Sequence, residues 1–258
     1  QLLLAIDLVK KYFGVNHNLY AQCMVELSDI YSNQKRYTDA ERILQEILQI
    51  KKNNPDDYLA DIYHRTGENF FEKGVYEKSF HQFNKARSLY VQYYGKKNVY
   101  LVNPLLGMSD ILLRQKKPLD AYAITKSALE LTKEKQQIIY PYDHWLCIMQ
   151  LLKCKKLLNE NNVQSNQSVI NDIELIKTTL QKANNIKNTL YNTGSQLYYA
   201  ERMAELNELG IYFLTHFYKK TDTYFLDNLL FFAENNKANL LRNRIINYKA
   251  EEILPLSE

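Results

Sequence analysis

Three stretches of this chain align without gaps over the length of a helix-turn-helix, and that self-similarity constrains the fold more than any other feature. The first reads Leu27-Ser28-Asp29-Ile30-Tyr31, then Tyr37-Thr38-Asp39-Ala40-Glu41. The second reads Thr66-Gly67-Glu68-Asn69-Phe70, then Tyr76-Glu77-Lys78-Ser79-Phe80. The third reads Met108-Ser109-Asp110-Ile111-Leu112, then Pro118-Leu119-Asp120-Ala121-Tyr122. In each, a small residue (Ser28, Gly67, Ser109) is followed three positions later by a large one (Tyr31, Phe70, Leu112). Nine positions on comes a second small residue (Ala40, Ser79, Ala121), and the successive offsets are 39 and 42. Ala86 and Ala128 add a small residue seven further on, where the first stretch has Ile47. Small residues let two helices approach closely, and the large one fills the gap beside them. Repetition at this period marks a stacked array in which each unit contacts its neighbours. With only 7 Gly and 5 Pro in 258 residues, turns are scarce and long helices are expected.

The spacing of these residues resembles the tetratricopeptide repeat, and the long offsets resemble its kinesin-light-chain variety. The resemblance implies an all-α fold, a right-handed superhelix of antiparallel helix pairs (an α-solenoid). Turns are expected at Ser32 to Arg36, Glu72 to Val75 and Leu113 to Lys117. Asp57 and Asn103 read as helix N-caps and Pro104 as a first helical residue. The array divides into a helix of a preceding repeat (1–19), three clear repeats (20–57, 58–98, 99–140), a degenerate pair (141–192) and a long final pair (193–250). In that final pair Gly210, Ala233 and Ala238 take the small positions. The beginning, Gln1 to Phe13, has neither an initiator Met nor a small-residue cleavage site, and reads as the inside of a longer protein.

Beyond the clear repeats, Asp143 is expected to cap a helix running to Leu158, with a polar loop from Asn159 to Ser168. Helices are expected over Val169 to Leu190, Ser195 to Lys220 and Tyr224 to Lys249. The last contains Ala233-Glu234, Lys237-Ala238 and Leu240-Leu241. These residues are similar to the final repeat before the peptidase domain of bacterial CHAT proteins. Asn236 stands where Ser is usual, and the Leu pair comes one position early. The resemblance implies a caspase-like Cys/His peptidase after Glu258, so none of the residues here inherits its catalytic role.

Catalytic chemistry has little to work with. His17, His64, His81, His144 and His216 are dispersed. His144 and Cys147 share a helix face, but no orienting group or oxyanion donor is readable beside them. No metal-ligand spacing and no glycine-rich phosphate loop occurs, so no metal or cofactor is expected. Cys23, Cys147 and Cys154 lack paired spacing and read as thiols in a reducing, cytoplasmic setting. Basic pairs, among them Lys51-Lys52 and Lys116-Lys117, are scattered to helix ends rather than gathered on one face, which argues against nucleic acid. No apolar run is long enough to span a membrane.

Function then rests on surface. The resemblance implies that the first helix of each pair lines a concave groove. The lining positions would be Gln22, Val25, Asp29 and Ser32, then Asp61, His64, Glu68 and Phe71, then Asn103, Leu106, Asp110 and Leu113. That groove is acidic with apolar patches, suited to a basic or amphipathic segment of a protein or peptide partner. Three readings stand: a sensor that regulates an attached peptidase, a plain assembly scaffold, and an RNA-binding helical repeat.

Overall fold

The computed structural model describes residues 1–53, 55–134, 137–159, 166–189, 193–217 and 223–236. They form helices α1 (Leu2–Phe13), α2 (Asn18–Asn33), α3 (Tyr37–Asn53), α4 (Tyr58–Glu72) and α5 (Tyr76–Tyr94). A 3-10 turn (Val99–Leu101) leads into α6 (Val102–Arg114), followed by α7 (Pro118–Glu130) and α8 (Pro141–Asn159). Then come α9 (Asn166–Thr189), α10 (Thr193–Phe217) and α11 (223–236). The fold is all-α as expected; among the described residues it also carries an antiparallel pairing of Lys133–Glu134 (β1) with Gln137–Ile138 (β2). It sits beside Thr132, a fully buried residue whose carbonyl accepts from the Ile139 and Tyr140 amides. Two compact units result, Gln1–Cys154 and Lys155–Glu258.

In the first unit α2 packs on α3, α4 on α5 and α6 on α7, and each pair stacks on the next through α3 with α4 and α5 with α6. The three intra-pair turns share one construction. Arg36 N–H donates to Tyr31 C=O, Val75 to Phe70 and Lys117 to Leu112, while Lys35, Gly74 and Lys116 donate to Ser32, Phe71 and Leu113. These paired bonds satisfy the last carbonyls of α2, α4 and α6 and require a left-handed residue at the second position. That residue is Lys35 (φ 60°), Gly74 (φ 75°) or Lys116 (φ 59°). Only the middle unit has glycine there; a side chain in this region costs about 1 kcal/mol or more.

In the three clear pairs the small residues pack by a different device in each. Gly67 on α4 lies against the ring of Phe83, which is 2% exposed. The same ring meets Gly107 on α6: a Cβ would stand 2.8 Å from it at Gly67 and 2.5 Å at Gly107. In the third pair Ser109 and Thr125 stand at the places of Gly67 and Phe83, and their hydroxyls hydrogen-bond at 2.8 Å. In the first, Ser28 stands there with the buried Leu44. Ser79 and Ser109 also donate across their pairs to the carbonyls of Gly67 (2.7 Å) and Ala121 (3.2 Å). Ala40, Ala86, Ala121 and Ala128 are fully buried, as is Ile47, while Tyr31, Phe70 and Leu112 are wholly or partly buried.

Several local expectations change. Asp57 precedes α4 but has helical angles and makes no cap bond; its carboxylate accepts the Tyr94 hydroxyl instead. Asn103 lies inside α6, which the 3-10 turn starts at Val102; Pro104 is tolerated because first-turn amides have no helical acceptor. Asp143 is likewise inside α8, which begins at Pro141. Lys51, expected as a solvated helix-end charge, is 1% exposed. Its ammonium meets Asp56 at 2.7 Å, Asn18 Oδ1, and the Asn16 carbonyl at 3.5 Å, so it ties two inter-helix connectors together.

In the second unit α9 packs on α10, and Lys155 is paired with the buried Asp172. Gly210 on α10 lies against the fully buried ring of Phe232 on α11. Ala233 is exposed, because Phe225, Asn228 and Phe232 supply the buried face of α11. Ala238 and residues 237–249 of the expected last helix lie outside the described residues.

Two sets of variants test the packing by urea unfolding. Gly74→Ala, with open space around it, is expected to lose about 1 kcal/mol and Lys116→Gly to gain up to about 1 kcal/mol. Gly107→Ala is expected to lose about 1–3 kcal/mol, since a ring held on both sides cannot retreat. Adding Phe83→Leu should return part of that loss, a coupling visible in a double-mutant cycle.

Candidate functional site

The first helices α2, α4 and α6 run beside one another, α2 against α4 and α4 against α6. The structure separates the twelve expected groove positions into two groups. Val25 (6% exposed) and His64 (9% exposed) are buried, a correction to their expected place on a lining. Their row turns into the stack: His64 lies 5.4 Å from the Phe83 ring and hydrogen-bonds the Asn103 backbone. Gln22 and Asn103 are exposed, and Asp29, Ser32, Asp61, Glu68, Phe71, Leu106, Asp110 and Leu113 are partly exposed.

Asp29, Ser32 and Glu68 come together in one pocket of about 500 Å³ between α2 and α4, with Lys35, Arg65, Asn69 and Glu72 also on its wall. The floor is preorganised. Asn69, 2% exposed, donates to the Tyr37 carbonyl at 3.2 Å and accepts from the Ser32 hydroxyl at 3.3 Å. Arg65 Nη1 donates to Glu68 Oε2 at 2.8 Å, and its Nε stands 3.7 Å from Asp29 Oδ2. Burial raises the Asp29 carboxyl above its ordinary range despite the adjacent guanidinium, and Glu68 and Glu26 add to the rise. Asp110, which follows Asp29 and Glu68 in the repeat, lies outside this pocket and accepts from Gln150 at 2.7 Å.

A second cluster extends the acidic character toward the start of α4. Tyr90 donates to Asp61 and Tyr94 to Asp57. Tyr100 stacks on Tyr90 at 5.8 Å and tilts over Tyr94 at 4.8 Å. Tyr93, Tyr94 and Tyr100 are exposed. The bond to Asp57, with burial behind it, pushes the Tyr94 phenol up to about 12. Asp57 and Asp61 thus stand beside tyrosine rings at the start of α4, while Glu68 and Glu72 lie on the pocket wall toward its end. Composition shows the abundance of Tyr, but only the folded chain gathers these rings.

The groups that could carry covalent chemistry are set otherwise. Burial raises the Cys147 thiol to about 12, the reverse of what a nucleophile needs. His144 Nδ1 is engaged by the Thr132 hydroxyl at 2.7 Å. Cys154 packs with Leu112 and Ala121 and burial raises it to about 11. Among the described residues no group of three His, Cys, Asp or Glu side chains is placed to hold a metal, and no helix is long and apolar enough to cross a membrane.

Burial lowers the His64 pKa, against the opposing pull of Glu68. The unfolded chain therefore takes up the proton first, and stability held above about pH 6.5 is lost as pH falls. Arg65, Asp61 and Glu68 are the charged groups facing the ring. Between pH 7 and 5 the native chain should lose stability more steeply than His64→Gln, by at most about 1.4 kcal/mol per pH unit. Denaturant midpoints across that range measure the difference.

No protein-family model and no curated protein matches the sequence. Solved structures do. BtubC (BKLC) from P. vanneervenii aligns with 12% identity and a TM-score of 0.58, over 100% of this chain and 91% of that one. A putative kinesin light chain from P. anserina, solved for its nearly identical TPR-like repeats, aligns with 10% identity and a TM-score of 0.53, over 86% of this chain and 95% of that one. With the shared turns and the recurring small positions, these likenesses assign the chain the fold of kinesin-light-chain tetratricopeptide-like repeats.

Proposed function

We propose that this chain is a protein-interaction scaffold that holds a basic or amphipathic segment of a partner along the first helices of its pairs. The observation that carries this reading is the pocket, where Asp29 and Ser32 of α2 and Glu68 of α4 meet over a floor fixed by Asn69. Support comes also from the carboxylates along α4 and the exposed tyrosines beside them. The partly exposed Phe71, Leu106 and Leu113 offer apolar contacts to such a segment. Charge steers the encounter and apolar contact retains it. A cytoplasmic setting suits the free, mainly buried thiols.

Regulation of a caspase-like peptidase attached after this segment is the second reading. What favours it is the CHAT-like sequence from Ala233 to Leu241, most of which lies outside the described residues. In that case capture of the partner would be relayed through the stacked pairs, each bearing on the next. RNA binding finds no basic stripe in the sequence to support it.

The triple charge reversal Asp29→Lys/Glu68→Lys/Asp110→Lys tests the main reading. Partners captured from the native organism and labelled basic amphipathic peptides should both bind the native chain. The variant should bind the peptides on the order of tenfold to a hundredfold more weakly, as three lost charge contacts of up to ~1 kcal/mol each require. An unchanged partner set and unchanged peptide affinity, with helical circular dichroism intact, would move binding off this face.

A further inference from the structure

We infer that Arg65 is a built-in occupant of the α2–α4 pocket and that it stands in for an arginine side chain of the partner. The inference rests on the acidic-face reading above and specifies the chemistry of its central contact. Arg65 projects from α4 into the pocket, where a carboxylate from each helix brackets it: Glu68 at 2.8 Å and Asp29 at 3.7 Å. Two acceptors around a planar fork suit a guanidinium better than an ammonium, which is a compact point charge.

The internal pairing is incomplete. Asp29 is beyond hydrogen-bond length from Arg65, and its carboxyl remains raised by burial, so its charge is under-compensated. Glu72 on the same wall has no ion-pair partner among the described residues. Three carboxylates thus face two cations, Arg65 and Lys35, where α2 and α4 end and their dipoles are negative. The pocket has volume for a second side chain beside Arg65 or in its place. Arg65 is itself 43% exposed and has Asp61, which also accepts from Tyr90, one turn back on α4, a third carboxylate toward which a displaced guanidinium can move. A partner arginine therefore competes with Arg65 for Asp29 and Glu68. This competition sets both affinity and the preference for arginine over lysine.

The test uses the 258-residue chain and two fluorescein-labelled amphipathic peptides identical except for one central Arg or Lys, read by anisotropy. Native chain, Arg65→Lys, Arg65→Gln and Lys35→Gln are compared. Arg65→Lys keeps the charge and removes the fork; it is expected to tighten the Arg peptide by about tenfold and the Lys peptide far less. Arg65→Gln should do the same or more, and Lys35→Gln should change affinity less than about threefold. Unchanged or weaker Arg-peptide binding by Arg65→Lys overturns the inference while leaving the acidic-face reading in place. Equal gains from Lys35→Gln and Arg65→Gln also overturn it, since general electrostatics then suffices. Failure of every version to bind either peptide overturns both.

Discussion

The Phe83 ring, held between Gly67 of its own pair and Gly107 of the next, is the contact on which the order of the first unit depends. It joins two levels of packing that are usually separate, the closure of one helix pair and the stacking of that pair on its successor. Met108 and Ile111 close around it with Phe71, Tyr76 and Phe80 at the margin, so the middle of the array has one continuous apolar centre. Burying a side chain of this size contributes about 2–3 kcal/mol, but only where backbone comes close enough to meet both ring faces.

The acidic face follows from that packing by simple geometry. Asp29, Glu68 and Asp110 each come one residue after the inward small position, which turns them about 100° away from it on the helix. Repetition of the core therefore repeats the surface. The connectors hold it in register: Lys51 joins Asp56 to the entrance of α2, and Lys73 pairs with Glu41. Lys51 is fully buried, so loss of Asp56 would leave its charge unpaired, a change that typically costs about 3–5 kcal/mol, whereas the partly exposed Lys73–Glu41 pair contributes less.

Spacing made the pairs, their turns and the inward small residues legible, because each depends on distances of only a few residues along one chain segment. What stayed hidden depends on neighbours far along the chain. Lys51 looks like any last-turn lysine until Asn16, Asn18 and Asp56 converge on it. His64 and Val25 share a helical row with lining positions, yet the neighbouring helix covers them. The repeat pattern marks Ser109, two residues on, and the role of Gly107 appears only when Phe83 reaches across from α5. Asp57 has the composition of a cap, but a phenol from the next helix claims its carboxylate. The pocket was legible as three of its acids and hydroxyls, whereas Arg65 was not, since nothing in a helical pattern says which cation folds back on its own groove.

The unlike pairings Ser28 with Leu44, Gly67 with Phe83 and Ser109 with Thr125 have an evolutionary consequence. A repeat array grows by duplication, and freshly copied units are interchangeable. Here each joint has acquired its own combination of sizes, and Gly107 is matched to a ring contributed by the preceding pair alone. Excising the middle unit would set Leu44 opposite a space shaped for Phe83, and exchanging the second and third would take the ring away from Gly107. The joint between the second and third pairs is thereby addressed: the order of those two units is written into the interior as well as along the chain.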